Sequence, residues 1–202
     1  DHIEYLRAGA AAQYGSDAIT GVINIILKDD PDGGSSDTTI GQTYRSQGLT
    51  AKEDLDWGAK LLGGNAHFAL SLVHSEPASA NTASTGILYP LIDGRPDPRE
   101  ATANTDYGSS YGRSTLNDSI NLAYNFKAPI RDGLDFYSFS TFSYRNIKDA
   151  RGAFRPDDLA SLPQIYPNGF QAYRLLHEGD FQVAAGLKGE LAGWNWDLST
   201  TY

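Results

Sequence analysis

The sequence predicts an all-β fold in which antiparallel strands carry one apolar and one polar face. Three observations support this fold class. Apolar and polar residues alternate with a period of two along most of the chain after about residue 38. The 21 Gly and 9 Pro supply turns rather than helix interiors. Aromatic residues, led by 12 Tyr, make up 11% of the 202 residues.

Residues 1–28 predict a small α+β element. Alternation from Ile3 to Arg7 predicts a short strand, and the Ala run between Gly9 and Gly15 suits a single helical turn. The apolar stretch from Gly21 to Leu27 predicts a buried strand. Residues 29–37 then combine Pro, paired Gly and four Asp, which favours a linker and a domain boundary.

Residues 38–202 predict about seven strands of one antiparallel sheet. The clearest strand has Ile120, Leu122 and Tyr124 on one face and Asn121 and Asn125 on the other. The same alternation recurs near residues 55–61, 68–72, 181–187 and 194–198, and less cleanly near 38–44 and 134–144. The opposite faces carry Asp, Asn and Lys, so one face is expected to be dry and the other wet.

The connections favour a membrane barrel over the outer sheet of a soluble sandwich. Links near residues 62–65, 129–133 and 191–193 are short, whereas links near 75–114 and 147–179 are long. Transmembrane barrels have short turns at one rim, long loops at the other and aromatic girdles at both interfaces. The aromatic residues expected to form the girdle near the short turns are Phe68, Phe126, Phe181, Trp194 and Trp196. The pattern therefore predicts strands of a large antiparallel transmembrane β-barrel.

Composition and motifs exclude several other classes. The net charge of −9 argues against a nucleic-acid partner. The absence of Cys excludes disulfides, thiol nucleophiles and cysteine-ligated metal. The four His are scattered without metal-site spacing, and no phosphate loop or nucleophile elbow occurs. The sequence predicts no catalytic residue, cofactor or metal site, and the chain is not expected to be an enzyme.

The stretch from Ile3 to Lys28 resembles the C-terminal end of the plug domain of TonB-dependent outer-membrane receptors. The matching features, in order and without a gap, are a strand ending in Arg7, a Gly-Ala turn, Tyr-Gly-Ser, and Ala-Ile-Thr-Gly-Val-Ile-Asn-Ile. The glycines are expected to allow sharp turns and close backbone approach. Structural roles in the motif are expected for Gly9, Tyr14, Gly15, Gly21, Val22 and Asn24.

The resemblance implies a domain organisation. Residues 1–28 would end a plug domain, residues 29–37 would be the linker, and residues 38–202 would be the first strands of the barrel that encloses the plug. The barrel would sit in bacterial outer-membrane lipid. The chain is expected to be a fragment, because the N-terminal box that contacts the TonB complex is not in this sequence.

The resemblance also implies a function, namely energised uptake of a scarce ligand across the outer membrane. An iron-siderophore complex is the first expectation, and a carbohydrate or cobalamin importer on the same scaffold is the alternative. A soluble secreted β-sandwich binding module is the alternative from a different class. In that case the apolar faces would meet each other instead of lipid.

Aromatic and basic residues in the two long links are the candidate ligand-binding residues. Tyr accompanied by Ser, Gly and Asn is typical of adaptable recognition surfaces, and Arg adds charge-assisted hydrogen bonds. The alternative is that loop aromatics pack within their own loops. The first link contributes Tyr107, Tyr111 and Arg113, and the second contributes Arg155, Tyr166, Phe170 and Tyr173, with Arg151 and Arg174 in the same stretch.

Overall fold

The computed structural model describes residues 2–7, 21–44, 47–78, 86–103 and 116–202. The all-β, antiparallel prediction is confirmed for these residues, whose only helices are two short 3₁₀ turns. Among them no helix has the length and apolar character needed to cross a membrane. The strands are β1 (His2–Arg7), β2 (Gly21–Ile26), β3 (Gly34–Gly41), β4 (Thr50–Leu61), β5 (Gly64–Ser75), β6 (Leu116–Arg131), β7 (Leu134–Phe154), β8 (Phe170–Leu191) and β9 (Trp194–Thr201). The 3₁₀ turns are Pro98–Thr102 and Leu159–Ser161.

The strands form two antiparallel sheets. β1 pairs with β2, from His2 opposite Ile26 to Arg7 opposite Gly21. β3 to β9 form a seven-stranded sheet whose spatial order is the chain order. Within the part of the chain that the structure describes, this sheet is open, with β3 and β9 as its edges.

Tight turns join the strands at one end of the large sheet. Leu62–Gly63 connects β4 to β5, and Ala192–Gly193 connects β8 to β9. Leu62 and Ala192 have φ of 52° and 51°, and the glycines that follow have 77° and 78°. Positive φ at both central residues defines the type I′ turn, whose twist suits a two-residue hairpin. The long connections all lie at the opposite end of the sheet. Phe181 was expected beside a short turn, but it lies in the middle of β8, so that expectation is wrong.

Two sequence-based boundaries differ from the structure. β3 begins at Gly34, inside the predicted linker 29–37. β7 continues to Phe154 and β8 starts at Phe170, so their connection is residues 155–169 rather than 147–179. The ladder continues because the backbone pairs regularly through Ala150 opposite Tyr173, although the apolar alternation has already ended. The helical turn predicted between Gly9 and Gly15 lies outside the described residues.

The register gives the large sheet two chemically different faces. Cross-strand partners form one apolar row of Leu55, Leu70, Leu122, Phe142 and Phe181. The neighbouring row, on the other face, is Asp54, Ser71, Asn121, Ser143 and Asp180. We call these the apolar face and the polar face, and the predicted division into two faces is present.

The two faces also differ in what covers them. On the apolar face Leu122 is 43% exposed and Phe181 is 53% exposed. On the polar face lie the β1–β2 pair and the segment that follows it, which Asn125 contacts by donating from Nδ2 to the Lys28 carbonyl at 3.0 Å. Residues of the small sheet, such as Ile3 and Ile25, line a cavity of about 650 Å³ together with residues of the large sheet, among them the polar-face Asn121. The small sheet therefore occupies the polar side.

Candidate functional site

A cluster that we call the linker clamp holds residues 28–32 against the polar face. It consists of Lys28, Asp30, Asp56, Gly58 and His67. The His67 ring is buried, with Nδ1 2.9 Å from the Asp30 carbonyl oxygen and Nε2 3.2 Å from Asp56 Oδ1. Lys28 Nζ lies 3.1 Å from the same Asp56 oxygen. One imidazole thus connects the linker backbone to a strand carboxylate.

Gly58 lets the linker approach the backbone of β4. A Cβ at this position would clash with the Asp30 carbonyl oxygen and lie 2.8 Å from the Pro31 carbonyl carbon. These neighbours are backbone atoms, which cannot rotate away as a flexible side chain can. The clamp therefore requires the absence of a side chain at Gly58 as much as the presence of His67.

At the other end of the sheet, the two long connections pack against each other. We call the assembled residues 86–103 and 154–170 the loop cap. Arg155 Nη2 donates to the Ile87 carbonyl at 2.7 Å, and the Tyr89 hydroxyl donates to Asn168 Oδ1 at 3.2 Å. Tyr89 is buried there, 5% exposed. Contacts between residues so distant in sequence join residues 86–103 and 154–170 into one folded unit.

An Asp–Arg pair organises the first half of the loop cap. Asp97 caps the 3₁₀ turn by accepting from the Arg99 backbone N–H at 2.9 Å, and its carboxylate also binds the Arg99 guanidinium, with Nη2 at 2.6 Å. That guanidinium lies 4.3 Å above the centre of the Tyr89 ring. Glu100 Oε1 accepts from the Leu88 and Tyr89 N–H groups at 2.7 and 2.6 Å. The guanidinium of Arg99 and then its backbone N–H hold the pKa of Asp97 below its ordinary value.

The loop cap should consequently weaken in acid. A carboxyl with a depressed pKa in the folded state stabilises that state above its ordinary value of 3.8, and the contribution is lost as the pH falls through the lower, folded value. We expect hydrogen exchange at the Leu88 and Tyr89 amides to be faster in Asp97→Asn than in the wild type at neutral pH. The difference in exchange rate between the variant and the wild type should disappear at pH values below the depressed pKa of Asp97. A difference that persists unchanged in acid would contradict this role.

The structure brings three of the predicted ligand-binding residues together. The Phe170 ring stacks on Phe154 at 4.8 Å between centroids and lies 4.6 Å from the Tyr166 ring. Arg155 lies in the same cap, where its guanidinium pairs with Asp157 at 3.0 Å. Tyr166 keeps 45% of its surface exposed, whereas Arg155 and Phe170 are half-buried. The loop-packing alternative thus describes part of what these side chains do.

The other predicted residues lie elsewhere. Tyr173 lies outside the cap, in β8 on the apolar side, with the Lys148 ammonium 4.3 Å from its ring centre. In the plug motif, Gly21 and Val22 lie in β2, and Asn24 donates from Nδ2 to Glu4 Oε2 at 2.8 Å across the β1–β2 pair. The remaining positions, Tyr107, Tyr111, Arg113, Gly9, Tyr14 and Gly15, lie outside the described residues.

Sequence reasoning did not identify His67 as important, because an isolated His in an alternating strand carries no distinguishing signal. It noted Arg151 and Arg174 only as loop residues, whereas the structure places both in paired strands. Among the described residues no group of three or more acidic or His side chains is arranged to hold a metal ion.

Comparisons with protein-family models, with curated proteins and with solved structures found no match for this chain. The resemblance of residues 3–28 to a receptor plug therefore stays a prediction from sequence. What bears on function is the geometry: a two-faced sheet, a small sheet on its polar side, the linker clamp and the loop cap.

Proposed function

We propose that this chain is part of a TonB-dependent receptor that transports a scarce ligand, an iron-siderophore complex in the first instance, across the bacterial outer membrane. One observation carries the proposal. The element that resembles the end of a plug lies on the polar face of a sheet whose opposite, apolar face is exposed. A plugged barrel requires this arrangement, with water and plug inside and lipid outside.

The exposed apolar face supports a membrane location. Large apolar side chains are exposed there across the whole sheet, from Trp57 at 60% to Phe181 at 53% and Leu198 at 70%. Contiguous apolar surface of this extent marks an interaction with lipid or with another protein. The alternative of a secreted β-sandwich would need a second sheet over this face. Within the described ranges, the only second sheet is the β1–β2 pair, which lies on the polar side.

In this proposal the two clusters have different roles. The loop cap belongs to the end of the sheet with long connections, which would face the exterior and meet the ligand first. The linker clamp lies towards the end with tight turns, and it would tie the end of the plug to the barrel wall. Transport would then need rearrangement of plug residues that precede Lys28.

The test is uptake by intact cells that carry or lack the gene for the intact protein. Cells would receive radiolabelled ferric siderophores with the proton gradient present or collapsed. We expect gene-dependent binding in both conditions and gene-dependent accumulation only with the gradient. A carbohydrate or cobalamin importer would instead show gradient-dependent accumulation of those ligands. Accumulation that is independent of the gradient for every ligand class would overturn energised transport.

A further inference from the structure

The far halves of β7 and β8 carry a second charged cluster on the polar face, outside both the linker clamp and the loop cap. Asp149 and Arg174 are direct cross-strand partners, and so are Arg145 and Glu178. The ladder is continuous from Leu134 to Ala150, so these pairs share the face of Asn121 and Ser143. In the proposed receptor this face lines the interior, near the end with long connections.

Two guanidinium groups of this cluster share one carboxylate. Asp149 Oδ2 lies 2.9 Å from Arg174 Nη2 and 3.8 Å from Arg151 Nε. Arg145, by contrast, has Glu178 as a partner of its own. The cluster thus holds three guanidinium groups and two carboxylates, and the excess positive charge lies at Arg151 and Arg174. This contrasts with a chain whose net charge is −9.

Accessibility and backbone geometry also distinguish this pair. The side chains of Arg151 and Arg174 are 54% and 57% exposed, whereas that of Asp149 is 20% exposed. The ladder shifts register between Ala150 and Ala153, so Arg151 lies within a β-bulge. A bulge turns a side chain away from the regular alternation, and bulges are frequent beside functional sites.

From this geometry we infer that Arg151 and Arg174 form a binding site for an anionic ligand, with Asp149 as the carboxylate that balances part of their positive charge. Guanidinium groups bind carboxylates and other planar oxyanions through paired N–H donors. Two guanidinium groups can therefore contact a polyanion from two sides. The inference rests on the proposed function, and it narrows the ligand to a complex with a net negative charge, such as a ferric tris-catecholate or ferric citrate. An uncharged ferric trihydroxamate would gain no binding affinity from Arg151 and Arg174.

The test is equilibrium binding by the intact protein in detergent micelles. The probes are radiolabelled ferric tris-catecholate, ferric citrate and an uncharged ferric trihydroxamate. We expect Arg151→Gln and Arg174→Gln each to weaken binding of at least one anionic probe about tenfold or more. The matched control, Arg145→Gln, removes a guanidinium that has its own carboxylate and should change binding little. Added salt should weaken the wild type more than either variant.

Asp149→Asn separates ligand binding from a merely structural role. Removing the shared carboxylate raises the local positive charge, so the anionic probes should bind more tightly, whereas a loss of structure would weaken binding of all probes. The inference is overturned if the wild type binds no anionic probe, if the Arg variants bind it normally, or if Arg145→Gln weakens it equally. Anion binding without gradient-dependent uptake would overturn transport instead and leave this site standing.

Discussion

Leu122→Arg is expected to prevent assembly of the protein in a lipid bilayer. Leu122 lies at the centre of the apolar row that runs from Leu55 to Phe181. On the lipid side of a barrel, Arg near the bilayer midplane costs about 2–4 kcal/mol. The adjacent Asn121→Arg places the same charge on the polar face, where Asn121 is already exposed, and should assemble normally. Comparing the two variants measures how differently the two faces tolerate the same charge at neighbouring positions of one strand.

Tryptophan fluorescence measures the outcome directly. The sequence has three Trp, and Trp57, Trp194 and Trp196 all lie at apolar-face positions near the tight turns. In bilayers with brominated acyl chains, we expect strong quenching for the wild type and Asn121→Arg, and loss of quenching for Leu122→Arg. A wild-type protein that is soluble and unquenched would instead favour the β-sandwich alternative.

Gly58→Val is expected to detach the linker from the polar face. The added side chain meets the backbone of Asp30 and Pro31, and overpacking of this kind typically costs about 1–3 kcal/mol. Displacing the linker also removes the contacts of His67 with Asp30 and of Lys28 with Asp56. We expect trypsin to cleave after Lys28 much faster in this variant than in the wild type.

The control for this variant is Gly41→Val. Gly41 lies at the end of β3, and a Cβ there would meet nothing within 4 Å, so the cleavage rate should not change. General unfolding is recognised because trypsin would then also cut after Lys60 and Lys127, which lie in β4 and β6. Unchanged cleavage after Lys28 in Gly58→Val would show that the clamp does not hold the linker.

Much of the large sheet was predictable from sequence because the information is local. Alternation of Leu122 with Asn121 places neighbouring residues on opposite faces, and Gly63 or Gly193 after a short apolar run predicts a hairpin turn. Prediction failed where the ladder continued without alternation. Residues 147–154 and 170–179 looked like loop, yet they pair as strands through partners such as Lys148 and Leu175. Backbone hydrogen bonds need no apolar pattern, so such an extension has no signal in composition.

The candidate sites were harder to predict from the sequence than the large sheet was, for a related reason. Tyr166 and Phe170 could be nominated from composition because aromatic residues cluster in one short segment. The contact of Tyr89 with Asn168 joins residues 79 positions apart, and that of His67 with Asp30 joins residues 37 apart. Neither contact can be recognised before the pairing and register of the strands are known. The same holds for Arg151 and Arg174, which share a carboxylate only because β7 and β8 pair.

By itself, the sequence determined the all-β antiparallel class, the end of the large sheet at which the chain turns tightly and the chemical difference between the two faces. These follow from side-chain period and turn chemistry, which act within a few residues. Only the tertiary structure decided that the β1–β2 pair lies on the polar face, that the long connections form one cap and that His67 holds the linker. Those features depend on which distant residues meet, and chain topology and register set that, rather than any local preference.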